Sequence, residues 1–323
     1  MEQQPLVSIL IPTHNRPDFF KQALISALQQ TYQNLEIIVS DDSTDDRTEQ
    51  LVKEEVHDPR VHYFHHAGFK MPMNITWLLS HFHGQYFNML MDDDLIEPTK
   101  IETMLRFYQQ YPSVTLVTSY RQRINENRAI LPDIPATVKL ADQPTKFKGA
   151  VIRQLLLDTS LNRIGEPSTV LMDRKYLSKL LSIWSVYHAN ADIVSWLYLC
   201  EQGDVIYLPE TLNYFRFHSG QDQQNFHILF EGTCEWCMIY LHEIEKETDV
   251  KRRNNYWKRF FDFNHNLLTY VWPKARATIG AEGDNFATQE KLLELDGRYA
   301  KVVREYEKVV FDRKAGYVLE SLN

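Results

Sequence analysis

The sequence predicts an α/β fold: a mainly parallel sheet with helices on both faces, followed by a helical C-terminal region. Three observations predict it. Short apolar runs of strand length alternate with segments of helical spacing over roughly the first 120 residues. Those runs are apolar throughout rather than alternating, as in strands buried on both faces. From Phe226 onward only helical spacing remains.

The elements follow in order. Val7-Ser8-Ile9-Leu10-Ile11 reads as the first strand, and Pro12 to Pro17 as a loop rich in breakers. Phe19, Phe20, Ala23, Leu24, Ala27 and Leu28 repeat at helical spacing, with Pro17 suited to the first turn. Leu35 to Val39 is the second strand, and Ser43 or Thr44 is the expected cap of the next helix. Val61 to Phe64 reads as a strand, Asn74 to Phe82 as a helix, and Tyr86 to Met91 as a strand running into Asp92-Asp93-Asp94. A helix over Pro98–Tyr111 and a strand over Val114–Thr118 complete the series. Gln122 to Lys148, with Pro132, Pro135 and Pro144, reads as an excursion. Order returns at Thr169–Met172, and a helix near Asp192–Cys200 and short strands over Asp204–Leu208 and Leu212–Phe217 follow. Helices are expected over 226–246, 252–271 and 287–311. A boundary near residue 222 separates domains 1–222 and 223–323.

Composition narrows the function. The 323 residues are 44% hydrophobic and 12% aromatic, which is globular rather than disordered. The net charge of −8 argues against a nucleic-acid partner. Three cysteines, Cys200, Cys234 and Cys237, make no disulfide framework and suggest a reducing compartment. Met1 to Pro5 lacks a signal-peptide pattern, and no apolar run is long enough to span a bilayer. A cytoplasmic protein is expected, either free or in peripheral contact with the inner membrane face. Neither G-x-G-x-x-G nor G-x-x-x-x-G-K-[ST] occurs, and there is no H-E-x-x-H. Cys234-Glu235-Trp236-Cys237 is a lone C-x-x-C in a helical setting, which favours a buried structural role.

In parallel sheets, ligands bind beyond the carboxyl ends of strands. Three predicted strand ends carry polar clusters: Thr13-His14-Asn15, Asp41-Asp42 and Asp92-Asp93-Asp94. Three consecutive aspartates repel one another unless a cation or hydrogen-bond donors offset the charge. A hard divalent cation bridging a diphosphate would do so. The alternative is a solvated loop in which Asp92 or Asp94 caps the next helix.

The blocks in this order resemble family 2 glycosyltransferases with the GT-A fold. Val7 to Arg16 is similar to the family opening. Ser26 to Tyr32, then Leu35 to Asp45, resembles its next block, without the glycine usual between the aspartate pair and the serine. Gly68 and Asn74 resemble the third block, and Tyr86 to Asp94 with Pro98 resembles the D-x-D metal motif. Gly165 to Thr169 is similar to the acceptor-side segment. His188 to Asp192 with Trp196 is similar to the base-bearing block, and Tyr214 to His218 to the block that completes the metal site.

The resemblance implies an inverting transferase that uses a nucleotide-sugar, first of all a UDP-sugar, and Mn2+ or Mg2+. Pro12, Thr13, His14, Asn15, Asp41, Asp42, Lys70, Asn74 and Asp92 would hold the donor. Asp93, Asp94 and His218 would hold the metal. Asp192 would be the general base, taking a proton from the acceptor hydroxyl; read without the resemblance, it would cap a helix starting at Ile193. Glu166, His188 and Arg216 would lie on the acceptor side. The acceptor would be a glycan or lipid-linked sugar, as in cell-surface polysaccharide biosynthesis. The competing reading is a sugar- or nucleotide-binding protein on the same fold without catalysis. A nucleotidyltransferase is disfavoured because its glycine-rich phosphate loop is missing.

The C-terminal region leaves two readings open. Residues 251–276 carry Lys251, Arg252, Arg253, Lys258, Arg259, Lys274 and Arg276 against Asp262 alone, with aromatics interleaved. Such a helix suits either a peripheral contact with an anionic membrane or packing of its aromatics inside the protein. The last helix suits internal packing or a homodimer contact.

Overall fold

The computed structural model describes residues 4–69, 71–219, 226–281 and 286–320. Val7–Thr13 forms β1, buried along its whole length, with β2 (Leu35–Asp41) parallel on one side and β4 (Tyr86–Met89) parallel on the other. β3 (Val61–His65) extends the parallel run beyond β2. Across the sheet the order is β3-β2-β1-β4-β8-β6-β9-β5, where β5 is Leu95–Ile96, β6 Val114–Asn125, β8 Leu171–Asp173 and β9 Asp204–Phe217. β7 (Thr145–Phe147) also pairs with β9. The long ladders are parallel, and the short pairings of β4–β8, β6–β8, β5–β9 and β7–β9 are antiparallel. The mainly parallel α/β sheet expected from the sequence is therefore present.

Helices α1 (Pro17–Leu28), α2 (Arg47–Glu55), α3 (Met71–Ser80), α4 (Lys100–Gln110), α5 (Gly149–Thr159), α6 (Leu177–Trp184) and α7 (Ala191–Gln202) connect the strands. The apolar faces of α1 and α4 join strand side chains such as Ile9, Ile11, Ile37 and Val117 in one core with Phe20, Leu24, Ile101 and Met104. Burial at about 25 cal/mol per Å2 of apolar surface makes this core the main stabilising term.

Several expected elements differ. The cap of α2 is not Ser43 or Thr44: the helix starts after Asp46, without a side-chain cap bond. Ser43 is instead drawn back, its Oγ accepting from Asn15 N at 2.7 Å. The two short strands expected after Asp204 form one 14-residue strand. β6 runs on to Asn125, through residues expected in a loop. The reason is mutual pairing: Tyr120 to Asn125 lie alongside Thr211 to Phe217, and register shifts at Ser119/Tyr120 and Tyr120/Arg121 absorb the turn-forming residues of β9. Helices α5 and α6 were not anticipated.

The chain divides into two compact units. One comprises Met1–Val186 and Ala191–His218, and the other Tyr187–Asn190 and Ser219–Asn323. The second is helical: α8 (Phe226–Lys246), α9 (Val250–Asn266), a π-helical turn over Leu267–Val271, α10 (Trp272–Gly280) and α11 (Phe286–Glu320). Tyr256 and Phe260 of α9 are buried, and Phe260 stacks on Tyr306 of α11. Leu295, Val302 and Val309, seven residues apart in turn, bury one face of α11. Much of the aromatic content is thus spent inside this unit, while Phe261, Leu268 and Tyr270 remain exposed. Among the described residues no helix is long and apolar enough to cross a membrane.

Candidate active site

The parallel strands β1, β2 and β4 end at the same edge of the sheet, so Thr13, Asp41-Asp42 and the loop after β4 meet there. Thr13 Oγ1 donates to Asp92 Oδ2 at 2.9 Å, and His14 N donates to the same oxygen at 3.4 Å. His14 Nδ1 lies 3.0 Å from both the Asp42 carbonyl and its Oδ1. Asn15 takes a left-handed backbone, φ 54°, that aims its side chain at Thr44 N. Asp41 is fully buried, receiving Ser43 N at 2.8 Å and the Tyr63 hydroxyl at 2.6 Å. Burial pushes the Asp42 carboxyl up, against the pull of His14. Pro12 lies within β1, next to this cluster in sequence. Asn74, on α3, is buried; its Nδ2 reaches the Thr13 carbonyl at 3.4 Å, and its Oδ1 has no hydrogen-bond partner among the described residues. Lys70, expected on the donor, lies outside the described residues.

The three aspartates separate in role. Burial, and then the Asp93 charge, pushes the Asp92 carboxyl up to about 7. Asp93 is the one turned toward His218 at the end of β9, with 3.0 Å between its Oδ2 and Nε2. Asp94 accepts the backbone N–H of Arg216 at 3.0 Å, and burial raises its carboxyl well above the ordinary range. Its Oδ2 is buried with no hydrogen-bond partner among the described residues. Arg16, to which the sequence reading gave no role, reaches Asp92 at 3.4 Å and Asp93 at 3.3 Å. Arg16 thus bridges Asp92 and Asp93, while Arg216 and Lys100 bring positive charge toward Asp94.

A carboxylate and an imidazole, both able to ligate a divalent ion, come from separate strand ends and meet at Asp93 and His218. Among the described residues no group of three His, Cys, Asp or Glu side chains is gathered in metal-binding geometry. Asp94, expected beside them, is turned to Arg216. Asp93 and His218 are the residues that would hold a divalent cation here, with further oxygens left to come from outside the chain.

Arg216, expected on the acceptor side, is fully buried. Its guanidinium lies 4.7 Å over the Phe19 ring and donates to the Asp93 carbonyl at 2.6 Å, the Glu126 carbonyl and Gln22 Oε1. It braces the aspartate loop from behind. Lys100 is also fully buried, donating to the Ser168 carbonyl; burial pulls its ammonium down to about 7, against the attraction of Asp94.

Asp192 is the second residue of α7. Its Oδ1 accepts Ile193 N and its Oδ2 accepts Asn162 Nδ2, each at 2.7 Å. The 162–169 loop that supplies Asn162 also holds Glu166, paired with the buried Arg121 at 2.6 Å without hydrogen-bond alignment. His188 belongs to the other unit, where Glu231 lies 3.8 Å from it and raises its pKa. Sequence reasoning missed Arg16, Tyr63, Arg121 and Asn162. The carboxylates they meet, Asp92 and Asp93, Asp41, Glu166 and Asp192, lie 22 to 77 positions away along the chain, beyond any local pattern.

The model of the family described as Glycosyl transferase family 2 matches residues 8–181, more than half the chain. This chain belongs to that family. An uncharacterized glycosyltransferase of Rickettsia felis is 25% identical over 253 residues, covering 78% of this chain and 40% of the relative. One from Haemophilus influenzae is 26% identical over 262 residues, covering 79% and 74%. The chain thus spans well under half of the Rickettsia felis relative's length. Among solved structures, Staphylococcus aureus TarS 1–349 matches with a TM-score of 0.58 at 15% identity, covering 96% of this chain and 91% of that one. The mannosyltransferase PcManGT of Pyrobaculum calidifontis, solved with GDP-Man and Mn2+, matches with a TM-score of 0.52 at 13% identity, covering 96% and 88%. The family 2 chain therefore has the expected GT-A fold.

Proposed function

We propose that this chain is an inverting glycosyltransferase that moves one sugar from a nucleotide-diphosphate donor to a hydroxyl of a glycan or lipid-linked acceptor. The observation that carries the reading is the meeting of Asp93 and His218 at 3.0 Å, beside Thr13, His14 and Asp92 at the carboxyl edge of the sheet. Asp41, Asp42, His14 and Asn74 would line the nucleoside part of the donor. Asp93 and His218 would hold Mn2+ or Mg2+. When bound, the ion supplies positive charge to the departing diphosphate.

Asp192 acts as the general base. It takes the proton from the acceptor hydroxyl while that oxygen attacks the anomeric carbon. The bond from that carbon to the diphosphate oxygen breaks, and its electron pair leaves with the nucleoside diphosphate. Attack opposite the leaving group inverts the anomeric centre. Arg16 sits close enough to the aspartates to pass from them to the diphosphate. The family assignment and solved neighbours support a nucleotide-sugar donor: TarS has been solved with UDP-GlcNAc and PcManGT with GDP-Man.

Calorimetric titration of UDP, GDP and dTDP, with and without Mn2+, tests the donor site. Binding of one nucleotide that needs Mn2+ and is lost in Asp93→Ala is expected. No binding by folded protein under any condition would overturn the reading. Asp192→Asn then separates transferase from binder: it should retain nucleotide binding and lose turnover.

A further inference from the structure

We propose that Asn162 is a positioning residue for Asp192, holding its carboxylate charged and fixed in direction. The proposal rests on the reading of Asp192 as the base. Asn162 Nδ2 donates to Asp192 Oδ2 at 2.7 Å, across 30 positions of sequence. The other oxygen, Oδ1, accepts the N–H of Ile193. An amide donor favours the charged form of a carboxylate, and two donors on different oxygens restrict its rotation.

Asn162 is itself held on several sides. Its Oδ1 accepts Gly165 N at 2.8 Å, and its Nδ2 also reaches the Gly165 carbonyl at 2.9 Å. Its own carbonyl accepts Arg121 Nη2 at 2.6 Å. Arg121 is buried, also donates to the Ala136 carbonyl, and is paired with Glu166. Gly165 takes φ 125°, and a Cβ there would come within 2.8 Å of Thr169. From α7, Trp196 Nε1 donates to the Gly165 carbonyl at 2.9 Å. The helix that carries Asp192 is thus tied back to the loop that carries its hydrogen-bond donor. The charged groups of this loop and its supports are Arg121, Arg163 and Glu166; Arg163 is committed to the Pro135 and Val138 carbonyls.

A purely structural Asn162 would serve only the turn to Gly165. Asn162→Ser separates the two roles. A serine hydroxyl can still accept Gly165 N but is too short to reach Asp192. The experiment is carbon-13 NMR of the full chain carrying labelled aspartate side chains, with the Asp192 signal identified by its loss in Asp192→Asn. In Asn162→Ala and Asn162→Ser the Asp192 pKa should rise by about half a unit or more. Nucleotide release from UDP-GlcNAc or GDP-mannose with Mn2+ should show kcat lowered about tenfold, its acidic limb displaced to higher pH, and the donor KM little changed. If Asn162→Ala does not fold, Asn162→Ser carries the test. An unchanged Asp192 titration in the folded variant overturns the proposal. Failure of the base assignment looks different: Asp192→Asn would keep full turnover whatever the titrations show.

Discussion

Tyr63 reaches from β3 to Asp41 at the end of β2, its hydroxyl 2.6 Å from Oδ2. Asp41 has no solvent of its own, so a lost donor there is not replaced by water. Tyr63→Phe should therefore cost about 2 kcal/mol of stability, the scale for leaving a buried acceptor without its donor. It should also weaken nucleotide binding if the β2 end lines the donor. Urea unfolding of the variant measures the first; a loss under about 0.5 kcal/mol would show the contact to be incidental. The sequence made Asp41 legible because it ends an apolar strand. Tyr63 was not legible, because nothing in a strand of alternating exposure says which ring finds a carboxylate. Asp192 and Asn162 repeat this pattern: the acid stands in a recognisable block, its donor in a loop with no pattern. Arg216 shows the opposite case. Its block implied a place on the acceptor side, while its guanidinium lies over Phe19 and donates to Gln22 Oε1 and the Asp93 and Glu126 carbonyls.

Element by element, the sequence was most legible where period and length agreed, as in β1, α1 and β2. It was least legible in β9, where Pro209 and Glu210 suggested a break between two strands. Pairing with β6 overrides that local signal, because register shifts in the ladder let the strand continue past the proline. Continuation matters to the site, since it carries His218 to Asp93. The start of β9 has its own clamp. Asp204 accepts Ser113 Oγ at 2.8 Å and lies 3.3 Å from Lys148 and 3.6 Å from Lys146. The Ser113 bond leads in holding its carboxyl below the usual range, with Lys148 and Lys146 adding to it. A carboxyl lowered in the folded state adds stability above its unfolded value, about 3.8, and loses it as pH falls from there through the folded value. Urea unfolding between pH 3 and 6 should therefore show a shallower acid loss in Asp204→Asn than in the parent; equal slopes would sink this account. The neighbouring turn is steric. A Cβ on Gly149 would lie 2.1 Å from the carbonyl oxygens of Cys200 and Gly203, so α5 begins hard against the end of α7. Gly149→Ala should destabilise by roughly 3 kcal/mol, because backbone on both sides must move. A thermal midpoint within a degree of the parent would show that the start of α5 can shift freely.

Over the whole molecule, the division into units falls in an unexpected place. Tyr187–Asn190 groups with the C-terminal helices, whereas Ala191, the next residue, opens α7 of the sheet unit. The grouping has a chemical cause. Glu235 of α8 accepts His188 N on one carboxylate oxygen and Asn190 N on the other, each at 2.7 Å. Asn190 Nδ2 adds a bond to the Gly232 carbonyl at 2.8 Å. Burial raises the Glu235 carboxyl, while the two backbone donors favour its charged form. The peptide that leads into Asp192 is thus satisfied by a helix more than 40 residues later in the chain. Cooperative units exchange their amides together, so the amides of His188 and Asn190 should open with α8. They should not open with β6 and β9. Native-state hydrogen exchange in rising urea measures this directly. In Glu235→Ala those two amides should lose protection by at least about tenfold, while amides of β1 and β2 keep theirs, since only the helix-side acceptor is removed. Protection of residues 188 and 190 that followed the sheet strands, or that survived Glu235→Ala, would show that α8 does not govern this segment. If they follow α8, a destabilised helical unit would loosen the three bonds that hold the two residues before Ala191 and Asp192.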